Sequence, residues 1–290
     1  MASSDSRFEQ GLALERLDAD LFRNVRPLYQ GKDARGIFGG AVVAQSLMAA
    51  MATVDARFAV HSLHSYFVRA GDNSVPVLYS VEDVRTGRSY CTRTVQARQH
   101  GRCILTVTVS FAAAEPAGIS HAVRPPALGS PADALDLAAD QAALASVGVL
   151  LTRSEASPSD SRPGEARYRA LPSADPAEHR DLVWMRVYGP IRDQRMNAVA
   201  VAYLSDQLFL GGSMRANGVP ADKVGMMVSL DHSVYFHNPI HADQWMCHVV
   251  ASPWTGHGRG FVQGHFYDAD GKLLATTTQE GVLRMQKAKI

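Results

Sequence analysis

Two features of the 290-residue chain place reactive side chains where a purely structural sequence would put hydrocarbon. The first is Asp206. It falls in the run Asn197 to Leu210, which has helical composition, and its neighbours three and four positions away are Ala202, Tyr203, Phe209 and Leu210. A carboxylate on such a face must be partnered, neutral or working, because burying it unpaired costs several kcal/mol. Its ordinary role there would be to cap a neighbouring strand or to tuck against the backbone at the end of its helix. The second is Val228 to His237, a β-branched and aromatic stretch whose centre carries Ser229, Asp231, His232 and Ser233. Adjacent strand residues point to opposite faces, so Asp231 and His232 do not read as a dyad, and Asp231 is assigned a structural role. No Gly-x-Ser-x-Gly elbow surrounds a serine, and no Ser-His-Asp set stands out. The remaining histidines, His237, His241, His257 and His265 among them, lack ligand spacing, so neither a metal nor a cofactor is expected.

These groups need elements to hold them, and the chain offers the same set twice. Val60 to Val68 repeats the outline of 228–237, with His64-Ser65 matching His232-Ser233 and aromatic residues following in both. Before the first copy, Phe38-Gly39-Gly40 leads into Ala41 to Ala52, a helix of small and apolar residues. After it, strands are expected at 76–85 and in a hairpin of 88–99 and 102–112, turned at Gln99-His100-Gly101. In 102–112 Leu105, Val107, Val109 and Phe111 alternate with Ile104, Thr106, Thr108 and Ser110, the period of a sheet with one buried face. The second copy has a strand at 182–188, the helix Asn197 to Leu210, strands at 225–236, 244–252 and 258–267, a turn at Asp268 to Gly271, and a last strand at 272–285. Gly101 then superposes on Gly271, Gln279 on about Val109, and Ser229 on His61. The expected fold is α+β, with units at 8–112 and 181–287. Between them, residues 113–180 hold eight of the fourteen prolines. That linker should contain a helix from Asp133 to Leu150, capped by Ser130 with Pro131 at its first position, and a loop over 152–180. Residues 8–30 read as a strand or short hairpin.

Composition narrows the class. Hydrophobic residues make up 46%, enough for a full core, and 29 basic against 28 acidic side chains leave a formal charge of +1, with no basic run suited to nucleic acid. Cys91, Cys103 and Cys247 cannot all pair and sit at no metal spacing, which suits reduced thiols in a cytoplasmic protein. The first residues lack the apolar core of a secretory signal. Gly36 to Val54 is uncharged and nearly long enough to span a bilayer, but it is dominated by Gly and Ala and contains Gln45 and Ser46, so it reads as a helix enclosed by protein.

A helix wrapped by an antiparallel sheet, twice along one chain, is the double hotdog arrangement, and several motifs make the likeness specific. Leu17-Asp18-Ala-Asp-Leu-Phe22-Arg23, Phe38-Gly39-Gly40, His61 to Asp72, Ser205-Asp206, Leu230 to Ser233, Gly260-Phe261-Val262 and Gln279-Glu280-Gly281 resemble the acyl-CoA thioesterase II family over nearly the whole chain outside the linker. The resemblance implies hydrolysis of fatty acyl-CoA thioesters by a water held between Asp206, Ser229 and Gln279, with Ser229 standing where the family commonly has Thr. Thioesters have a good leaving group, so a positioned water suffices without an acylated serine. Backbone N–H groups at Gly39 and Gly40 would take the oxyanion, and His61 would lie at the substrate. The first half, with Gln45-Ser46 in its helix, would lack a working copy. Acyl-CoA is the expected partner, and a homo-oligomer is expected by analogy. Two other readings stay open. Asn238-Pro239-Ile240-His241 resembles part of a hotdog enoyl-CoA hydratase motif, although Phe236 stands where that motif needs Asp; the other is an acyl-CoA-binding protein without turnover.

Overall fold

The computed structural model describes residues 7–31, 34–116, 118–137, 139 and 164–286. A short helix α1 (Arg7–Leu12) and a hairpin of β1 (Leu14–Arg16) and β2 (Leu21–Asn24) open the chain. They are followed by α2 (Gly39–Met51) and the strands β3 (Phe58–Phe67), β4 (Leu78–Thr86), β5 (Tyr90–Gln99) and β6 (Arg102–Ala113). Next come β7 (Leu135–Asp136), β8 (Gly164–Leu171), β9 (Arg180–Val187), and the helices α3 (Met196–Leu204) and α4 (Gly211–Ala216). The chain closes with β10 (Val224–Ser229), β11 (Asp231–Phe236), β12 (Met246–Gly256), β13 (Arg259–Asp268) and β14 (Leu273–Met285).

The strands join in one antiparallel sheet of order β1-β2-β4-β5-β6-β3-β11-β14-β13-β12-β9-β8-β7, with β10 also on β14. On each side of the β3–β11 seam the order is the same, so β6 and β14 correspond, as do β5 and β13. At the seam His64 lies opposite Ser233 and Ser65 opposite His232. The alternation in the sequence is realised directly. In β6, Leu105, Val107, Val109 and Phe111 are buried against α2, and in β14 Ala275, Thr277, Gln279 and Gly281 face inward. The two-residue hairpin tips His100-Gly101 and His257-Gly258 both take positive φ, which brings the twist of the turn into line with that of the strands.

The central helix α2 is buried on every side, with Val43, Ala44, Leu47, Ala49 and Ala50 excluded from solvent. Each Val or Leu so enclosed contributes about 1.5–3 kcal/mol, which explains an uncharged helix without a membrane. Among the described residues no helix is long and apolar enough to cross one. The helices α2 and α3 pack on each other, and this is the double hotdog architecture expected. Cys91, Cys103 and Cys247 are free thiols.

Several local expectations are corrected. Residues 7–12 form a helix ahead of the hairpin. Within the supposed loop 152–180 lies the strand β8, whose Tyr168 and Ala166 are buried while it pairs with β9 along its whole length. Ser130 does cap a turn with Pro131 at its start, but that turn is a single 3-10 turn, and the backbone is extended by Ala134. The remainder of the expected 133–150 helix lies outside the described residues apart from Leu135 to Leu137 and Ala139. The strand expected at 225–236 breaks at Leu230 into β10 and β11. The helix expected to reach Leu210 stops at Leu204.

Candidate active site

The early end of α3 decides the site. Ser205 is the C-cap, the Gln207 N–H turns back to the Leu204 carbonyl at 3.0 Å, and Leu208 takes φ 59°, a conformation a β-carbon resists. Asp206 is therefore in the turn beyond the helix, half-buried, and not on a continuous helical face as its spacing suggested. A second group holds this turn in place. Arg215 on α4 donates from Nη2 to the Leu208 carbonyl at 2.8 Å and from Nε to Asp181 Oδ2 at 2.8 Å. Asp181 Oδ1 accepts from the Tyr168 hydroxyl at 2.7 Å and meets His179 Nε2 at 2.9 Å. Burial pushes the Asp181 carboxyl up, but the Arg215 charge and the hydrogen bonds from His179, Arg215 and Tyr168 outweigh it and bring it down to about 2. Sequence reading missed this network. Asp181 and Arg215 are 34 residues apart, and Tyr168 stood in a supposed loop.

Asp206 faces the other unit. Its Oδ2 accepts from the Gly40 N–H at 2.8 Å and its Oδ1 from Gln279 Nε2 at 2.7 Å. Phe38, the N-cap of α2, offers no side-chain acceptor, so a carboxylate from the opposite half takes that place. The positive end of the helix dipole favours the ionised form there, by about 0.3–1 kcal/mol at an exposed site and more when partly buried. No larger side chain fits: a β-carbon on Gly40 would lie 2.4 Å from the Tyr203 carbonyl, and one on Gly39 2.9 Å from Asp206 Oδ2.

Gln279 is fully buried on the inner face of β14, and its Oε1 has no hydrogen-bond partner. Ser229 pairs with Gly281, two residues farther along the same strand. Directly opposed residues share a face, as do i and i+2, so Ser229 lies beside Gln279 on the side that meets Asp206. The break at Leu230 is pinned by Asp231, whose Oδ1 accepts from the Glu280 N–H at 2.6 Å, next to Gln279. His232 points the other way, into the core. Its Nε2 lies 2.8 Å from Ser205 Oγ, and burial lowers its pKa despite Asp206 and Asp231. The structural role assigned to Asp231 and the absence of a dyad both fit this geometry.

Asp206, Gln279 and Gly40 are thus brought into contact, with Gly39 adjoining and Ser229 on the neighbouring pleat. His61 is not among them. It lies toward the start of β3, while Phe67 at the strand's far end is the residue beside Gly39. Six residues of strand separate the two, roughly 20 Å at 3.3 Å per residue. His61 Nε2 instead bonds Ser110 Oγ at 2.8 Å. The hydratase-like Asn238 donates to the Leu273 carbonyl, and Phe236 supplies no acid beside it. Among the described residues no group of three or more His, Cys, Asp and Glu could hold a metal ion.

A pair of catalytic candidates set between two hotdog units, one giving the carboxylate and amide and the other a helix N-terminus, defines a double hotdog enzyme of the thioesterase class. Comparison with known proteins makes the same assignment. Residues 29–112 match the acyl-CoA thioesterase N-terminal domain and residues 123–283 the acyl-CoA thioesterase C-terminal domain. The chain is 38% identical to human acyl-coenzyme A thioesterase 8 over 95% of its own length and 88% of the relative's. It is 34% identical to acyl-CoA thioesterase 2 of Haemophilus influenzae, over 95% and 96% respectively. The crystal structure of acyl-CoA thioesterase II TesB2 from Mycobacterium marinum superposes with a TM-score of 0.78 at 31% identity, covering 98% of this chain and 99% of that one. The chain belongs to the acyl-CoA thioesterase family.

Proposed function

We propose that the protein hydrolyses fatty acyl-CoA thioesters to the free acid and CoA by direct attack of a water held between Asp206, Gln279 and Ser229. The observation that carries this reading is the double engagement of Asp206, by Gly40 N–H on one oxygen and Gln279 Nε2 on the other. Both bonds stabilise the carboxylate as an anion, able to accept a proton. The unpartnered Gln279 Oε1 supplies an acceptor for a water proton, and the Ser229 hydroxyl a further donor or acceptor. As water attacks, its proton passes to Asp206 and the thioester carbonyl becomes an oxyanion. The Gly40 N–H, expected from the sequence as an oxyanion donor, is instead taken by Asp206, which leaves the Gly39 N–H at the start of α2 as the donor for that charge; removing one such donor typically costs about 3–4 kcal/mol. Collapse of the tetrahedral intermediate expels the CoA thiolate, which takes up the proton. No serine is acylated in this sequence.

The test is thiol release from palmitoyl-CoA, followed with a thiol reagent, beside hydration of crotonyl-CoA in the same preparation. Thiol release without hydration is the expected outcome; hydration alone, or neither, removes the reading. It also includes a cytoplasmic location and a homo-oligomer, checked by cell fractionation and light scattering.

A further inference from the structure

The antiparallel pair α2 and α3 has a second end, where α2 finishes at Met51 and α3 begins at Met196. A cavity of about 500 Å³ opens there, lined from both halves. Strand register makes it the counterpart of the Asp206 site. Val60 pairs with Phe111 across β3 and β6 as Ser229 pairs with Gly281 across β10 and β14, and an irregular residue follows each, His61 in one half and Leu230 in the other. Val60, not His61, therefore occupies the place of Ser229, one residue from where sequence similarity set it. With Gly101 over Gly271, Val109 takes the place of Gln279. One residue beyond the C-cap of α2, where Asp206 would stand, is Thr53.

The reactive groups are absent but the space has not closed. Met51, Val54, Val60, Phe111, Phe236 and Ile240 give it hydrocarbon walls. At its rim Arg57 lies over the Phe58 ring, 4.8 Å from the centroid, and forms no salt bridge among the described residues. The other guanidinium on the lining, Arg195, is paired with Asp193 at 3.0 Å. The only carboxylate on the lining, Asp55, accepts the Arg57 backbone N–H at 2.9 Å. An apolar cavity of this size with one uncommitted guanidinium suits a ligand with a long tail and a single negative charge. A CoA ester would need several cations for its phosphates, and only one is free here.

We propose that this cavity is a second, non-catalytic site that holds a free long-chain carboxylic acid, its tail between the two halves and its carboxylate on Arg57. The acid is of the class that thioester hydrolysis releases, so the inference adds a ligand site to the proposed reaction without depending on turnover.

The experiment is isothermal titration of the whole protein with sodium laurate, below its micelle concentration, on wild type, Arg57→Ala and Ala198→Phe. Ala198 lines the cavity from α3, and Arg57 is exposed, so its variant should fold even where the bulkier one does not. A bound laurate weakened at least tenfold by Arg57→Ala and abolished by Ala198→Phe, with thiol release within twofold of wild type in both, is the expected result. No laurate binding, or binding that neither variant changes, overturns the proposal, as does displacement of that laurate by free CoA, which would mark a coenzyme site. The readout is binding alone, so its failure leaves the hydrolytic assignment standing.

Discussion

After α2 a buried arginine, Arg93, donates to the Thr53 carbonyl at 3.3 Å and pairs with Asp83 at 2.6 Å; after α3, Arg215 donates to the Leu208 carbonyl at 2.8 Å and pairs with Asp181 at 2.7 Å. The two turns share a design and differ in what they carry. Thr53 returns its hydroxyl to the Ala50 carbonyl and Asp83 is exposed to solvent. In the other turn Leu208 is bent into positive φ, Asp181 is wholly enclosed with three partners, and Asp206 is delivered to the opposite helix N-terminus. A carboxylate facing another unit's N–H groups needs its backbone fixed against strain, and the fully buried ion pair is what fixes it. Where no such group is presented, a looser and more solvated pair suffices.

That contrast can be broken at graded strength. Replacing Arg215 with Met should cost about 3–5 kcal/mol, because Asp181 is left buried and uncompensated; Arg93→Met, with a solvated partner, should cost about 1–3 kcal/mol. Urea unfolding of the two variants gives the comparison, and equal losses would show that the turns are not used differently. Gln279→Ala should lower kcat about a hundredfold in a folded protein, within the range for groups that orient a proton transfer, as read by thiol release and circular dichroism. In the first half, Val109→Gln should destabilise by about 1–3 kcal/mol, since no carboxylate waits to receive the buried amide. The melting temperature measures this, and an unchanged value would mean that Gln279 does not depend on Asp206 for its burial.

Acid should act on the second turn as well. The folded Asp181 carboxyl titrates at about 2 against an ordinary 3.8. A depressed value means that its stabilisation is complete above the ordinary range and is lost as the pH falls through 2, amounting to roughly 2–3 kcal/mol. Unfolding followed between pH 5 and pH 2 should show this slope in wild type and a reduced one in Asp181→Asn. The smallest effect is expected from Ser229→Thr, which keeps the hydroxyl and fixes its rotamer; kcat should stay within about threefold.

Much of this architecture was legible because its signals are local. Alternation in β6, the glycine tips at 101 and 271, and the uncharged α2 each follow from the nearest few residues. The candidate trio was proposed from motif likeness, while the helical spacing that also singled out Asp206 does not hold, because the helix stops at Leu204. What escaped depends on contacts distant in sequence. The end of α3 at Leu204 is set by Arg215 and Asp181, which no helical periodicity reveals. The strand β8 was hidden among Gly, Pro and charged residues, its pairing with β9 invisible to composition. His61 was matched to Ser229 because likeness laid His64-Ser65 over His232-Ser233, whereas the pairing of His64 with Thr108 and of Ser233 with Thr278 makes His64 the counterpart of Ser233, one residue away.

Asp206→Asn is the most direct measurement, because the amide keeps the size of the side chain and removes its capacity to take a proton. The variant, folded but about 1–3 kcal/mol less stable because the amide has one acceptor oxygen for the two donors on Asp206, should release thiol from palmitoyl-CoA about 10²–10⁴-fold more slowly in kcat. A folded Asp206→Asn protein that turns over at the wild-type rate would contradict the assignment of this carboxylate as the group that draws the proton from water.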